Sequence, residues 1–186
     1  MESSLCPGDC PMNPWIEASY AGLLIDNHIS EDDPTLMSRF DPRAYVEKVK
    51  LSGVDSAMVY ACCHNGNCYY PTRVGHQHAN LHGRDIFGET VALLRETGIT
   101  PVAYYTTVYH NHSAKNHPAW RMQDAGGQQH QGRYWFSCVN NRDYIEFTKA
   151  QIAEIIAYPV EGIFVDMTFW PYICTCSNCR EQFRAQ

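Results

Sequence analysis

Four short apolar runs alternate with amphipathic stretches along the chain. The runs cover residues 21–25, 54–60, 99–106 and 163–165. Between them, apolar residues recur at helical spacing from 42 to 52, from 86 to 97 and from 143 to 157. Each apolar run is short enough for one strand, and each amphipathic stretch is long enough for one helix. The pattern therefore predicts an α/β fold with parallel strands and right-handed crossover helices.

Capping signals place the ends of these helices. Asp41 and Pro42 are typical of an N-cap and a first helical position, and Gly53 is expected to end that helix. Gly98 has the same role after the next helix. The predicted inward positions are Val46, Val49 and Leu51 in the first helix, Phe87, Thr90, Val91 and Leu94 in the second, and Tyr144, Phe147, Ile152, Ile155 and Ile156 in the third.

Long polar loops follow the predicted strands, whereas the turns from helix to strand are short. The long loops run from 61 to about 84 and from 107 to about 139. An open doubly wound sheet is the competing architecture, but residues 26–29 carry no glycine-rich phosphate motif. Long loops on one side favour a (β/α)₈ TIM barrel, which takes roughly 250 residues. We therefore expect residues 1–19 to be an extension and 20–186 to be the first four βα units of a truncated barrel.

Composition and net charge limit the kinds of partner that the chain is expected to bind. The chain has 186 residues, 45% hydrophobic and 18% charged, with a net charge of −6. An acidic chain without a basic run is a poor nucleic-acid binder. No apolar run approaches the roughly 20 residues of a membrane span, and the N-terminus does not resemble a signal peptide. We expect a cytoplasmic protein without membrane contact and without an organic cofactor.

The strand ends carry the candidate catalytic groups. Asp166 ends the fourth predicted strand, and Asp26 and His28 follow the first. A carboxylate at a buried strand end is costly unless it is paired or used, and barrels place their catalytic residues at these ends. Asp166 is therefore the strongest candidate, and a capping or structural role is the alternative.

Aromatic and hydrogen-bonding side chains accumulate in the loops of the same face. Rings stack on the C–H faces of sugars, while hydroxyl, amide and imidazole groups bind sugar hydroxyls. This mixture favours a carbohydrate ligand. The candidate substrate-binding residues are Asp26, His28, His64, Tyr69, Tyr105, Trp120 and Trp170.

Nine cysteines suggest a metal site or free thiols in a reducing compartment. Cys174, Cys176 and Cys179 form a C-x-C-x₂-C motif, and structural zinc sites use four tetrahedral thiolates. Cys138 is the preferred fourth ligand because it precedes the helix that leads into the fourth strand. The rival fourth ligands are Cys62, Cys63 and Cys68. Structural Zn²⁺ and unliganded thiols both stay open, as does a thiol nucleophile at Cys62 or Cys63 beside His64.

Several segments together resemble the barrel domain of hypothetical glycosyl hydrolases related to α-L-fucosidases. The similarity extends over about residues 20–183. It is carried by 24–28, 63–75, 101–105, 117–121, 138–141 and 162–166.

The resemblance implies a glycoside hydrolase of carbohydrate metabolism. In α-L-fucosidases the carboxylate that ends strand four is the nucleophile of a retaining mechanism. Zinc-containing β-galactosidases carry a similar cysteine motif, but an Asn-Glu pair stands where this chain has Val165 and Asp166, which favours the nucleophile role. Longer relatives often carry a trimerisation domain, which implies a homo-oligomer for a full-length protein.

Glycoside cleavage normally needs a second carboxylate, roughly 5–5.5 Å from the first in retaining enzymes. We expect it to come from strands five to eight, so the 186-residue chain alone is expected to have little or no turnover. The alternative function is a non-catalytic carbohydrate-binding or zinc-stabilised scaffold module, in which Asp166 only accepts hydrogen bonds.

Overall fold

The structure is a computed structural model that describes residues 14–186. Cys6, Cys10 and most of the predicted extension over 1–19 lie outside the described residues. Six helices and six strands follow one another along the described chain. They are α1 (Pro14–Ala18), β1 (Gly22–Leu24), α2 (Pro42–Leu51), β2 (Ser56–Tyr60), β3 (Asn67–Cys68), β4 (His76–Gln77), α3 (Ile86–Glu96), β5 (Thr100–Thr106), α4 (Asn111–Asn116), α5 (Arg142–Ile155), β6 (Gly162–Asp166) and α6 (Ser177–Arg184).

Four parallel strands form the main sheet in the order β1-β2-β5-β6. Gly22 pairs with Ser56, Ser56 with Thr100, and Val102 with Gly162. The predicted α/β class with a parallel sheet is confirmed. Within residues 14–186 the main strands lie side by side in chain order, without the reversal that marks an open doubly wound sheet. All four carboxyl ends therefore meet at one edge.

The capping signal at Asp41 and Pro42 gave the start of α2 correctly, whereas α1, α4 and α6 were not predicted. Asp41 accepts hydrogen bonds from the backbone N–H groups of Arg43 (2.9 Å) and Ala44 (3.2 Å), and Pro42 is the first residue of α2. A proline costs no hydrogen bond there, because the first N–H groups of a helix have no partner within it. Gly53 and Gly98 follow the ends of α2 and α3 with φ of 71° and 76°.

The core lies between the sheet and the helices α2, α3 and α5. All four predicted inward residues of α3 are buried, as are Val46 and Val49 of α2. The prediction was wrong for Leu51, which is 80% exposed, and for Ile156, which is 60% exposed. Leu51 is the last residue of α2, and Ile156 follows the end of α5, so neither is held against the sheet.

The two long polar loops contain more structure than the sequence indicated. The first holds β3, β4 and a 3₁₀ turn, and the second holds α4 and another 3₁₀ turn. A second apolar cluster lies within this loop face, and we call it the rim cluster. Its buried members are Val108, Tyr109, Met122, Tyr134, Phe136, Cys138 and Cys176.

In the described part of the chain, each helix falls short of the length and apolarity that crossing a membrane requires.

Candidate active site at the strand ends

The carboxyl ends of the four main strands bring a polar cluster together. Asp26 and His28 come from the segment after β1, and Tyr60 ends β2. Tyr104 lies on β5, and Asp166 is the last residue of β6. His64, from the segment after β2, lies against both His28 and Tyr104. We call these six residues the strand-end cluster.

Asp166 is held in one orientation by its neighbours. The Tyr104 hydroxyl donates to Oδ2, and His64 Nε2 lies 3.4 Å from the same oxygen. The backbone N–H of Met167 donates to Oδ1 at 2.8 Å. Met167 has a φ of 53°, a left-handed conformation that is uncommon outside glycine and marks a constrained position. The carboxylate is thus oriented, yet its side chain is still 31% exposed to solvent.

His28 and His64 stack with their ring centres 3.8 Å apart. The backbone N–H of His64 donates to His28 Nδ1 at 3.0 Å. A neutral His28 therefore carries its proton on Nε2, which lies 3.2 Å from Asp26 Oδ1 and 3.4 Å from the hydroxyls of Tyr60 and Tyr104. The ring is fixed as a donor that faces the centre of the cluster.

Burial keeps both imidazoles neutral. Desolvation lowers the pKa of His28, although the charges of Asp26 and Asp166 oppose this shift. Desolvation also lowers the pKa of His64 to about 4, with the neighbouring His28 adding to the effect. Loss of hydration raises the pKa of the Tyr104 hydroxyl, and its hydrogen bond to Asp166 raises it further. Near pH 7 the cluster therefore offers neutral donors and acceptors around Asp166.

The depressed histidine pKa values predict that stability falls in mild acid. The folded chain keeps His64 neutral down to about pH 4, and burial lowers the pKa of His110 to about 3. The unfolded chain takes up these protons near pH 6.5, so it binds more protons between pH 6.5 and 4. The free energy of unfolding should be highest above pH 6.5 and drop by several kcal/mol, on the order of 3 for His64 alone, as the pH falls to 4.

Denaturant unfolding at half-unit pH steps measures this dependence. His64→Asn should flatten the curve, whereas the control His82→Asn should leave it unchanged, since residue 82 is exposed and its φ of 49° suits asparagine. A free energy of unfolding that stays constant from pH 6.5 to 4 would contradict this description of the histidines.

The structure brings together only part of the set of predicted sugar-binding residues. Asp26, His28 and His64 join Asp166 in the strand-end cluster. Trp170 is 56% exposed and lines a cavity of about 760 Å³ with Ile173 and Phe183.

Tyr69, Tyr105 and Trp120 lie outside the strand-end cluster, in buried positions. Tyr69 is buried and donates to the backbone carbonyl of Asn27, so it stabilises the segment that follows β1. Tyr105 is fully buried and donates to Gln151 Oε1 at 2.8 Å. Trp120 is 9% exposed and stacks on His117 with ring centres 3.8 Å apart.

Sequence reasoning missed the roles of Tyr60, Tyr104 and Tyr134. Side chains alternate along a strand, so Tyr104 and Tyr105 point to opposite faces of the sheet. Tyr104 therefore takes the place expected of Tyr105. Tyr134 packs edge-on against His64 with ring centres 5.0 Å apart. The alternation predicts that one of these two tyrosines faces the cluster. Because both residues are tyrosine, the sequence does not indicate which of them it is.

The cysteines form two separate groups in the described residues. The sulfur atoms of Cys138, Cys174, Cys176 and Cys179 lie within 4.8 Å of one another. Cys62, Cys63 and Cys68 lie fully buried in the main core instead. This environment corrects the thiol-nucleophile hypothesis. Burial raises the pKa of Cys63, and the hydrogen bond with the Cys68 thiol, together with burial, raises the pKa of Cys62. A buried thiol without its thiolate form is a poor nucleophile.

A family model described as hypothetical glycosyl hydrolase 6 matches residues 41–167, which is more than half of the chain. The chain belongs to this family. The matched region contains His64, Tyr104 and Asp166 of the strand-end cluster. The predicted relation to fucosidase-related glycosyl hydrolases is thereby confirmed.

Solved structures similar to this family member include several α-L-fucosidases. Isoenzyme 2 from Paenibacillus thiaminolyticus is 26% identical, with a TM-score of 0.79 over 89% of this chain and 26% of that chain. An α-L-fucosidase of family GH29 from Bacteroides thetaiotaomicron is 22% identical, with a TM-score of 0.53 over 69% of this chain and 27% of that chain. The Thermotoga maritima α-fucosidase in complex with fucose is 17% identical, with a TM-score of 0.52 over 79% of this chain and 32% of that chain.

The chain thus spans about a quarter of the length of the Paenibacillus enzyme. The two structures under 25% identity support the fold alone. No protein of curated function matches the sequence.

For this glycosyl hydrolase family member, the strand-end cluster offers Asp166 as an oriented carboxylate beside neutral imidazole and hydroxyl groups. Asp26 is a second carboxylate of the cluster, and its side chain is largely exposed. Donor atoms of His28, His64 and Asp166 lie within 4.8 Å of one another, as metal ligands can. Each already has a hydrogen-bonding partner in the cluster, such as the Tyr104 hydroxyl. Hydrogen bonding to a polyhydroxylated ligand is therefore the simpler use of these groups.

Proposed function

We propose that this chain forms the first half of the catalytic barrel of an α-L-fucosidase-like glycoside hydrolase, in which Asp166 is the nucleophile. One observation carries the proposal. Asp166 lies at the carboxyl end of β6, held by Tyr104 and by the Met167 N–H, with part of its side chain open to solvent. An oriented, accessible carboxylate in a sugar-sized cluster of donors and acceptors suits attack on an anomeric carbon.

The edges of the sheet support a half barrel. Sheets built only of parallel strands are normally covered on both faces, so their strands have almost continuously apolar sequences. On β6, however, Phe164 is 36% exposed and Val165 is 39% exposed, and Leu24 of β1 is 43% exposed. β1 and β6 are also the two edge strands of the four-stranded sheet. Four further βα units would pair both edges and close the barrel.

The mechanism follows from the position of Asp166. In a retaining reaction, one Asp166 oxygen attacks the anomeric carbon as the glycosidic bond breaks, which gives a glycosyl-enzyme ester. A second carboxylic acid protonates the leaving oxygen and then, as a carboxylate, activates the water that hydrolyses the ester. We propose that this second group lies on strands outside these 186 residues.

Asp26 has a different role in the proposal. Its carboxylate accepts from the Tyr60 hydroxyl at 2.8 Å and lies beside His28 Nε2. Because these contacts orient His28, Asp26 is a positioning residue: it fixes the imidazole that stacks on His64 next to Asp166. Trp170 stays a predicted sugar contact, but the structure places its exposed ring on the cavity beside Cys138 and Cys179, outside the strand-end cluster.

Two neighbouring tyrosines give a matched test of the binding site. Tyr104→Phe removes a hydroxyl that touches Asp166, His64 (3.1 Å) and His28 (3.4 Å). It should weaken L-fucose binding about tenfold, or about 1.4 kcal/mol, because Asp166 and His64 lose the hydroxyl that orients them towards the sugar. Tyr105→Phe should leave binding unchanged but lower the free energy of unfolding by about 1–3 kcal/mol, since the buried Gln151 loses its donor.

NMR titration with L-fucose measures the first effect and denaturant unfolding the second. Equal affinities of the two variants, or no response of the strand-end cluster to L-fucose, would speak against the proposal. Binding without any covalent chemistry at Asp166 would instead favour a non-catalytic carbohydrate-binding module.

A further inference from the structure

Four cysteines converge beside the loop that follows Asp166. From their geometry we infer that Cys138, Cys174, Cys176 and Cys179 bind one structural Zn²⁺, which holds that loop against the rim cluster. This inference goes beyond the proposed function, because the site is separate from the strand-end cluster and is tested without any substrate.

The sulfur positions fit a tetrahedral ion. Cys138 Sγ lies 3.4 Å from Cys179 Sγ and 3.5 Å from Cys176 Sγ, and all four sulfurs lie within 4.8 Å of one another. Four thiolates at roughly 2.3 Å from a zinc ion are about 3.8 Å from each other. A disulfide would need about 2.05 Å and would join Cys138 to one partner only. Convergence of several sulfurs on one point therefore favours an ion over a disulfide.

Neighbouring N–H groups are placed as partners for thiolate sulfur. The backbone N–H of Gln123 donates to Cys174 Sγ at 3.5 Å, and the Asn140 side-chain amide donates to Cys179 Sγ at 3.4 Å. Donors around the ligands of a metal orient them and offset their negative charge. Both donors come from the segment between β5 and α5, whereas their sulfur acceptors lie after β6, so the surroundings of the sulfurs are built by the fold and not by the motif alone.

The ligand set indicates a structural ion and not a catalytic one, although Cys174 and Cys179 are only partly buried. Cys138 is 2% exposed and Cys176 is 5% exposed. Four protein ligands leave no position for water or substrate, and soft thiolates favour zinc among the common divalent ions.

The ligands join three segments of the chain. Cys138 precedes α5, Cys174 lies in the loop after β6, and Cys176 and Cys179 lie at the start of α6. An ion at this point would fix the far end of the loop 167–173, whose near end is fixed by β6. Met167 and Tyr172 of this loop pack against the rim cluster next to the cysteines. The ion would therefore hold the far part of this loop, including Tyr172, against the rim cluster.

Metal analysis of the chain purified without chelator tests the site. We expect one zinc ion per chain, and exchange for Co²⁺ should give the absorption of a tetrahedral thiolate complex. Cys179→Ser, at a partly exposed position, should lose most of the metal, whereas Cys63→Ala, which removes a thiol of the other group, should retain it. Removal of the metal should lower Tm by about 5 °C or more and speed hydrogen exchange in the loop 167–173.

Zinc-free protein with an unchanged Tm, undiminished zinc in Cys179→Ser, or disulfides among these four cysteines would each overturn the inference. So would iron as the bound metal. A chain that holds zinc but shows no fucose binding would refute only the proposed function, and the reverse result would refute only the zinc site.

Discussion

Asp166→Asn should abolish covalent labelling of the chain by 2-deoxy-2-fluoro-L-fucosyl fluoride. Fluoride leaves without a proton, so this reagent reacts with a nucleophile even when the catalytic acid is absent. Asparagine keeps the shape of the side chain and can still accept from the Met167 N–H, so the fold should survive. Its amide oxygen is a far weaker nucleophile than a carboxylate, and the labelling rate should fall on the order of a thousandfold or more.

Two carboxylate variants make this result specific. Asp143→Asn changes an exposed carboxylate in the first turn of α5 and should leave the labelling rate unchanged. Asp26→Asn should slow labelling more modestly, because Asp26 acts through His28 in our proposal. Intact-protein mass spectrometry over time gives the three rates. Labelling of Asp166→Asn at the rate of the unmodified chain would contradict the assigned nucleophile.

Phe87→Ala should destabilise the chain by about 3–5 kcal/mol. Phe87 is fully buried on the inner face of α3, where its ring lies 5.0 Å from the ring of Tyr158 and 6.0 Å from that of Tyr70. Its removal leaves a cavity between the helix and the sheet, and the rigid neighbours can fill it only in part.

Phe183→Ala is the matched control, because the same ring is removed from a position that is 81% exposed. It should change the free energy of unfolding by no more than about 0.5 kcal/mol. Urea unfolding followed by circular dichroism measures both variants. A loss below 1 kcal/mol for Phe87→Ala would mean that α3 does not pack on the sheet as described.

Local signals in the sequence were enough to find the fold class and the start of α2. Asp41 and Pro42 mark the start of α2 because a side-chain acceptor and a residue without an N–H are favoured there for local reasons. The position of Asp166 at the end of β6 was also predictable, since an apolar run that ends in a carboxylate marks a strand end.

Contacts between distant segments could not be predicted from local signals in the sequence. The partners of Tyr104 and Tyr105 depend on which face of β5 meets the strand-end cluster. Because β5 is buried on both faces, its residues are apolar or aromatic on both, and the sequence does not distinguish one face from the other. Trp120 has the sequence surroundings of an exposed loop aromatic, but packing against Tyr144 and Phe147 of α5 buries it, with ring centres 5.6 and 5.4 Å away. The convergence of Cys138 with the later cysteines was an expectation from topology, and its bound ion stays a prediction.

Mapping the labelled residue after reaction with the fluorinated fucosyl fluoride tests the central claim most directly. The chain is digested after labelling, and the modified peptide is sequenced by tandem mass spectrometry. We predict a single fluorofucosyl ester on Asp166. An adduct on Asp26 or another residue, or fucose binding without any adduct, would contradict Asp166 as the nucleophile.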